Sequence, residues 1–367
     1  MSTVAAILLS RQPLRPCGRD AWVRQTVAAV RRIKKQGWTI STSVGMSTWE
    51  LALALASMLS VKAQVHIPTV SEQESERLKD ETIRLFQLDP RLIEFKPCLI
   101  HSLNRSKNES LMLRDKAVID SADTLLPVSV RTGGHMAGLV EHAQNAGKRI
   151  DRQFEIPYHK RTAALSYEVN VNCLNPDLPT VGQRYLIHWT RTSNGPWPNE
   201  TSLDYYASII ESTSYPRTAF CTLMNMLQGN TLVATDKHMP HRIPTVSFAA
   251  LTPGETIPLM RWRARYRQMS FEPYGIGIER RYAQSLGIQP VVYYDRKAEP
   301  TSLDTEPWLT QSRGQKGDWR VENEHRHRGS LHLSRIPGRK LLALCLTRGE
   351  ATLITKISGV RAISFLS

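Results

Sequence analysis

Residues 113–150 constrain the fold more than any other part of the chain, because they read in succession as helix, buried strand, glycine turn and second helix. Thr124, Leu125, Leu126, Pro127 and Val128 form a short apolar run, the pattern of a strand covered on both faces. Thr132, Gly133 and Gly134 follow, and Met136, Leu139 and Val140 then recur at helical spacing. Amides at the start of such a helix face the carboxyl edge of the sheet, where open α/β folds hold nucleotides and other anions. With Arg131 ahead of the glycines and Asp123 at the strand's entry, the segment predicts an anion pocket. The plainer alternative is a tight turn.

The elements before it alternate as a parallel sheet with crossover helices requires. A strand starts at Ala5, with helices over 20–36, 48–59 and 71–88 and strands over 38–41 and 63–67. Ser71 and Glu74 are spaced for a capping box. The expected fold class is α/β, a Rossmann-like doubly wound parallel sheet, over residues 1–165. Asn172, Asn175, Pro176, Asp177 and Pro179 carry turn chemistry and mark a linker over 166–183. An α+β second domain follows over 184–367. Its expected helices cover 202–212 and 218–228, and its expected strands 185–190, 245–249, 275–278, 290–294, 340–346 and 351–356.

Forty-eight Lys and Arg against thirty-three Asp and Glu leave a net charge of +15, which favours nucleic acid or a small anionic ligand as partner. A merely basic soluble protein fits the same count. Five widely spaced cysteines, Cys17, Cys98, Cys173, Cys221 and Cys345, argue against a zinc cage or a disulfide framework, and no metal is expected. The apolar run at Ala5 is too short to span a membrane. A cytoplasmic homo-oligomer without membrane contact is expected.

Arg114-Asp115-Lys116-Ala117-Val118-Ile119, Ser121-Ala122-Asp123 and Arg131-Thr132-Gly133-Gly134 together resemble the series in DNA-processing protein A (DprA) and the wider SLOG superfamily of Rossmann-like nucleotide-binding domains. The resemblance covers about the first 150 residues. It implies a nucleotide-derived ligand held by Ser43, Gly45, Arg114, Asp123, Arg131, Thr132, Gly133 and Gly134. Where that family has several glycines after the second strand, this chain has Ser43, Val44 and Gly45 alone, which restricts the backbone's approach to a phosphate. The proline-glycine-glycine pattern of related phosphoribohydrolases is missing, so that hydrolysis is not expected. Arg114 and Asp115 also fit a local ion pair.

The second half brings three clusters rich in imidazole, guanidinium, aromatic and carboxylate groups: His188 to Arg191, His241 to Phe248 with Tyr274 after it, and Trp319 to Arg326. A dinucleotide site needs such a mixture. Over residues 185–330 these motifs resemble abortive-infection AbiGi-type proteins and, more distantly, DarT-like ADP-ribosyltransferases. That resemblance implies NAD as cofactor, catalytic roles for His188, Tyr274 and Glu322 or Glu324, and a phosphate contact from Arg242. Each residue has a plainer reading. His188 fits a hydrogen-bonded core histidine, Glu322 and Glu324 an ion-pair ladder with Arg320 and Arg326, and Tyr274 a turn aromatic packed on Trp262. The stripe Arg261, Trp262, Arg263, Arg265, Tyr266, Arg267 reads either as a nucleic-acid contact or as a helix with solvated arginines.

The resulting expectation is a bacterial defence protein in which a SLOG-like domain senses a nucleotide-derived ligand and controls an NAD-using or ADP-ribosyltransferase-like effector. The rival is a non-enzymatic DprA-like nucleic-acid-binding protein.

Overall fold

A computed structural model describes residues 2–99, 107–159, 165–167, 169, 171–237, 239, 242–264, 267–295, 306–313 and 319–367. His241, Arg265 and Tyr266 of the sequence reading lie outside these residues. The chain divides into two compact units, one of residues 1–162 with 199–216 and the other of 163–198 with 217–367.

The first unit runs β1 (Val4–Leu9), α1 (Ala21–Lys35), β2 (Thr39–Ser43), α2 (Ser47–Met58), β3 (Ala63–Thr69), α3 (Glu72–Phe86), β4 (Ile93–Leu99), α4 (Lys107–Asp120), β5 (Thr124–Ser129), α5 (His135–Asn145) and β6 (Arg149–Ile150). All six strands are parallel, in the order β4-β3-β2-β1-β5-β6. Because side chains alternate across a strand, β1 sends Ala5, Ile7 and Leu9 to one core and Ala6 and Leu8 to the other. The first core takes Val23, Val30 and Ile33 of α1, Leu51 and Leu55 of α2, and Phe86 of α3. The second takes Val118 and Ile119 of α4 with Met136 and Val140 of α5. The sheet is therefore doubly wound, and β5 is buried along its whole length. The chain order reverses where β1 meets β5, so the loops after those strands flank the crevice that this topology offers to ligands.

Ser71 caps α3 by accepting from the Glu74 amide at 3.1 Å, while the Glu74 carboxylate takes the amide of Val70 instead of that of Ser71. The helix expected over 202–212 forms, but its buried Tyr205, Tyr206 and Ile209 pack in the first core, so this segment belongs to the first unit.

The second unit and its inserted helix run α6 (Leu178–Arg184), β7 (Tyr185–Trp189), α7 (Ser202–Glu211), α8 (Ala219–Gln228), β8 (Thr231–Leu232), β9 (Thr245–Ala249), α9 (Pro253–Thr256), β10 (Trp262–Arg263), β11 (Gln268–Met269), β12 (Gly275–Glu279), α10 (Arg280–Ser285), β13 (Gln289–Pro290), β14 (Val292–Tyr294), β15 (Thr310–Ser312), β16 (Glu324–Arg328), β17 (Leu331–His332), β18 (Leu341–Cys345), α11 (Arg348–Ser358) and β19 (Ala362–Ser364). Its main sheet has the order β13-β16-β9-β7-β12-β18-β19 and is antiparallel except for the last pair. Leu186, Phe248 and Ile276 point to the face covered by α8 and α11, and Ile187, Trp189 and Leu344 to the face covered by α6.

Two expectations for this unit fail. Residues 351–356 belong to a helix, not a strand: Thr347 and Glu350 close a full capping box, and Gly359 at φ 71° ends the helix in the left-handed region. The described part of the stretch expected as a helix, residues 261–264 and 267, is not helical either. Trp262 pairs with Met269 and Arg263 with Gln268 in a hairpin, and Arg267 at φ 52° is incompatible with a helix interior.

Among the described residues no helix is long and apolar enough to cross a membrane.

Candidate functional site

Three loops leave the carboxyl edge of the parallel sheet, after β2, β1 and β5, neighbouring strands about 4.8 Å apart. The loop after β2 is already filled from within. Gly45, at φ 82°, donates its amide to Glu50 Oε1 at 2.9 Å, so a carboxylate of α2 occupies the place an anion would take. Arg114 is 1% exposed and donates Nε and Nη2 to Asp115 Oδ1 at 3.0 and 2.7 Å and Nη1 to Val44 O at 3.0 Å. Asp115 Oδ1 also accepts from Trp49 Nε1 at 3.0 Å. Arg114 therefore clamps this loop, and its ion pair with Asp115 is buried. Ser43 is fully buried, and its hydroxyl donates to His66 O at 2.5 Å.

The loops after β1 and β5 are stitched together. Ser10 donates its amide to Ser129 O at 2.9 Å, its hydroxyl accepts from the Arg131 amide at 2.8 Å, and the buried Gln12 side chain donates to Ser10 O and Ser129 O. Past this seam Gly134 donates to Arg131 O at 3.0 Å, with Gly133 at φ 68°, the signature of a type II turn. Gly133 is required by that sign of φ. Gly134 is the N-cap of α5 and supplies no side chain, so the first amides of the helix carry no side-chain cap.

This turn opens onto a cleft of about 740 Å³, bordered by Arg131, Thr132, Arg152, Glu155 and Tyr158. A smaller hollow beside it, about 380 Å³, shares Thr132, Arg152 and Glu155 and adds Gly133. Arg131, Thr132 and Gly133 are exposed. Arg152 Nη1 bonds both Glu155 oxygens, at 2.8 and 2.7 Å, and Tyr158 is steadied by a hydroxyl bond to Arg11 O at 3.0 Å. Arg131, Arg152 and Tyr158 thus border the larger cleft, while Gly133 and the side of α5 at Ala137 and Val140 border the smaller hollow.

Asp123 is not part of it. It precedes β5, at the amino edge of the sheet, where its carboxylate accepts from the Val4 amide at 2.8 Å. About 20 Å of strand separates that edge from the turn. Arg152 and Glu155, which border both hollows, were not singled out in the sequence; they follow β6, which ends at Ile150.

The residues expected to act on NAD are spread across the second sheet. His188 of β7 shares a face with Phe248, at 5.8 Å between rings, and its Nδ1 is 2.7 Å from Ser247 O. Burial lowers its pKa. Glu324 pairs in register with Ala249, and Ala249 with Ile187, which puts Glu324 on the opposite face. There it accepts from Arg326 Nε and Nη2, both at 2.9 Å, and from Ser247 Oγ at 2.6 Å. Arg326, 1% exposed, spends its remaining donors on Trp308 O, Thr310 O and Gln311 Oε1. Glu322 pairs with Arg263 at 2.8 Å, and burial raises its pKa against the pull of that cation.

Tyr274 is buried between Tyr167 and Phe220, not on Trp262, and donates to Glu350 Oε1 at 2.9 Å. Burial, then the Glu350 charge, raises its pKa. Arg242 is exposed ahead of β9, in the left-handed region at φ 55°. Sheet pleating thus puts His188 and Glu324 on opposite faces.

No family model and no curated protein matches the chain. Among solved structures it is similar to DNA processing protein A from Helicobacter pylori, described for its single-stranded DNA binding mode, at 15% identity over 40% of this chain and 63% of that one, with a TM-score of 0.30. For the Streptococcus pneumoniae DprA the figures are 10%, 41%, 49% and 0.30. For the Chlamydomonas rheinhardtii Moco carrier protein they are 13%, 41%, 74% and 0.26. The chain thus spans less than two thirds of either DNA processing protein. Likeness at this level says nothing about this chain's ligand.

Proposed function

We propose that the first unit binds a nucleotide-derived anion at the carboxyl edge of its sheet, with a phosphate against the turn 131–134 and the start of α5. The observation that supports this is the position of the turn between two open hollows, Arg131, Thr132 and Arg152 bordering the larger and Thr132, Gly133 and Arg152 the smaller, with no side chain capping the helix. The loop after β2 supplies no rival, because Glu50 already holds its amide.

The wider reading makes this ligand the switch of an NAD-using effector in phage defence. Sequence resemblance supports it, and the opposite placement of His188 and Glu324 weighs against it. The net charge of +15 supports the second reading, nucleic-acid binding through phosphates.

Calorimetric titration of the full chain with nucleoside monophosphates and with single-stranded DNA separates the two. A mononucleotide site gives saturable binding that weakens at least about tenfold in Gly133→Val, whose side chain disfavours the turn's positive φ. Full affinity in that variant removes the turn from the site. Binding of DNA alone, falling steeply with salt, replaces this reading with the second.

A further inference from the structure

Strand β16 carries two histidines with a single residue between them. His325 and His327 lie on the same face, since alternate residues of a strand share one, and in register they flank Phe248 and Val246 of β9. Both are half-buried. Their rings are held in opposite senses along the strand. His325 Nδ1 is 3.2 Å from Asn323 O, two residues back, and His327 Nδ1 is 3.0 Å from Gly329 O, two residues ahead. Asn323 at φ 44° and Gly329 at φ 77° are both left-handed and bracket the strand. A carbonyl oxygen only accepts, so each Nδ1 carries the proton and each Nε2 an unshared pair. With the Nδ1 atoms turned outward along the strand, the Nε2 atoms lie on the inner, facing sides of the two rings. Neither Nε2 has a partner among the described residues, and neither is buried. Capping the two carbonyls accounts for the Nδ1 atoms and leaves both Nε2 pairs unused.

From this we infer that His325 and His327 bind a divalent transition-metal ion through their Nε2 atoms, in the class that prefers imidazole: copper, nickel or zinc. Ring bases about 6.8 Å apart along a strand admit an ion about 2 Å from each nitrogen once the rings tip inward. A backbone carbonyl on the far nitrogen is the usual support of a metal-ligating histidine, because it fixes tautomer and ring plane. Among the described residues no group of three or more His, Cys, Asp or Glu is placed to hold a metal, so water completes the coordination and the site stays open to a further ligand. The spacing of the cysteines argues against a thiolate cage and leaves an imidazole pair possible. Arg280 and Glu324, the charges that act on His325, are opposite in sign, so the local field does not exclude a cation. The pair belongs to the second unit and owes nothing to the phosphate site of the first.

The full, untagged chain is titrated with copper(II) sulfate by calorimetry, and the first equivalent bound is examined by electron paramagnetic resonance. The chain has eleven histidines, so weak binding at single imidazoles forms the background. The expected result is one event about tenfold or more tighter than that background, the gain from tethering two ligands, with a spectrum showing two coordinated nitrogens. His325→Asn and His327→Asn each remove the tight event, and the double variant is no weaker than either alone. His332→Asn, at an exposed imidazole outside the pair, keeps it. A tight event that survives in both single variants overturns the assignment, and so does a titration of the unaltered chain with background binding only. The spectrum of the unaltered chain decides even if a variant fails to fold, since a single coordinated nitrogen in the first equivalent rules out the pair.

Discussion

His188 and Glu324 stand on opposite faces of one antiparallel sheet, because Glu324 is in register with Ala249 and Ala249 with Ile187, the residue before His188. Glu324 has a structural task there, neutralising an Arg326 that is 1% exposed. Glu324→Gln removes the charge and leaves the guanidinium buried with neutral partners only. The expected loss is about 3 kcal/mol of stability, seen in thermal unfolding as a fall in Tm of several degrees. If the variant keeps the parent Tm and instead abolishes an NAD turnover that the parent displays, the face assignment gives way to a catalytic one.

A second prediction concerns pH. His66 is 4% exposed, with Nε2 3.0 Å from Ser121 Oγ and Nδ1 3.9 Å from Cys98 Sγ, and Ser121 bonds on to the buried Ser41 at 2.8 Å. Burial first, and Lys96 second, lower its pKa from 6.5 to about 4. The unfolded chain therefore takes up a proton as pH falls through 6.5 while the folded chain does not. Stability present above 6.5 is lost progressively down to about 4, up to about 3 kcal/mol in all. Urea unfolding at pH 7 and pH 4.5 measures it, and His66→Gln should flatten that part of the profile. An unchanged slope in the variant would assign the effect to other groups.

Legibility followed periodicity and punctuation. The all-apolar β1 and the largely apolar β5 fix buried strands on their own, and Gly133 with Gly134 marks a turn past the end of β5. β4 was missed because its Ile93, Glu94, Phe95, Lys96 run is half polar and carries Pro97, features of a sheet edge. Helix α11 was misread because Leu353, Ile354, Thr355 and Ile357 carry β-branched and aliphatic weight, whereas the capping box that decides the matter is made by Thr347 and Glu350 ahead of that run. The pairing of Trp262 with Met269 went unread because Arg267, left-handed just before the second strand, stands where glycine or asparagine is the usual signal. In the site, Thr132 and Gly133 were readable from local pattern. Asp123 stands at the entry of β5, as its place in the sequence indicates, and that entry lies at the amino edge of the sheet, away from the turn.

Tyr206 ties helix α7 into the first unit. It is 3% exposed and donates to Glu50 Oε2 at 2.7 Å, while Glu50 Oε1 accepts the Gly45 amide. Tyr206→Phe leaves the ring packing against Phe86 and Tyr205 intact and removes that one donor from a carboxylate. The expected cost is about 1–2 kcal/mol, with faster hydrogen exchange at the Gly45 amide. No change at Gly45 would mean that its bond to Glu50 does not depend on the tyrosine.

The last prediction separates a structural from a catalytic Tyr274. Glu350 serves two tasks with two oxygens: Oε2 accepts the Leu346 and Thr347 amides at 3.0 and 2.9 Å, and Oε1 accepts the Tyr274 hydroxyl at 2.9 Å. Thr347→Ala removes only the cap made by its hydroxyl, at about 1 kcal/mol. Glu350→Ala removes the reciprocal cap and also leaves a buried phenol without its acceptor, so it should cost about 2 kcal/mol more. Adding Tyr274→Phe to Glu350→Ala deletes the stranded hydroxyl, and the double variant should be more stable than Glu350→Ala alone. A double-mutant cycle by denaturant unfolding reads this coupling directly. Strictly additive losses would show that the Tyr274 and Glu350 bond carries no energy, and the buried phenol would then need another explanation.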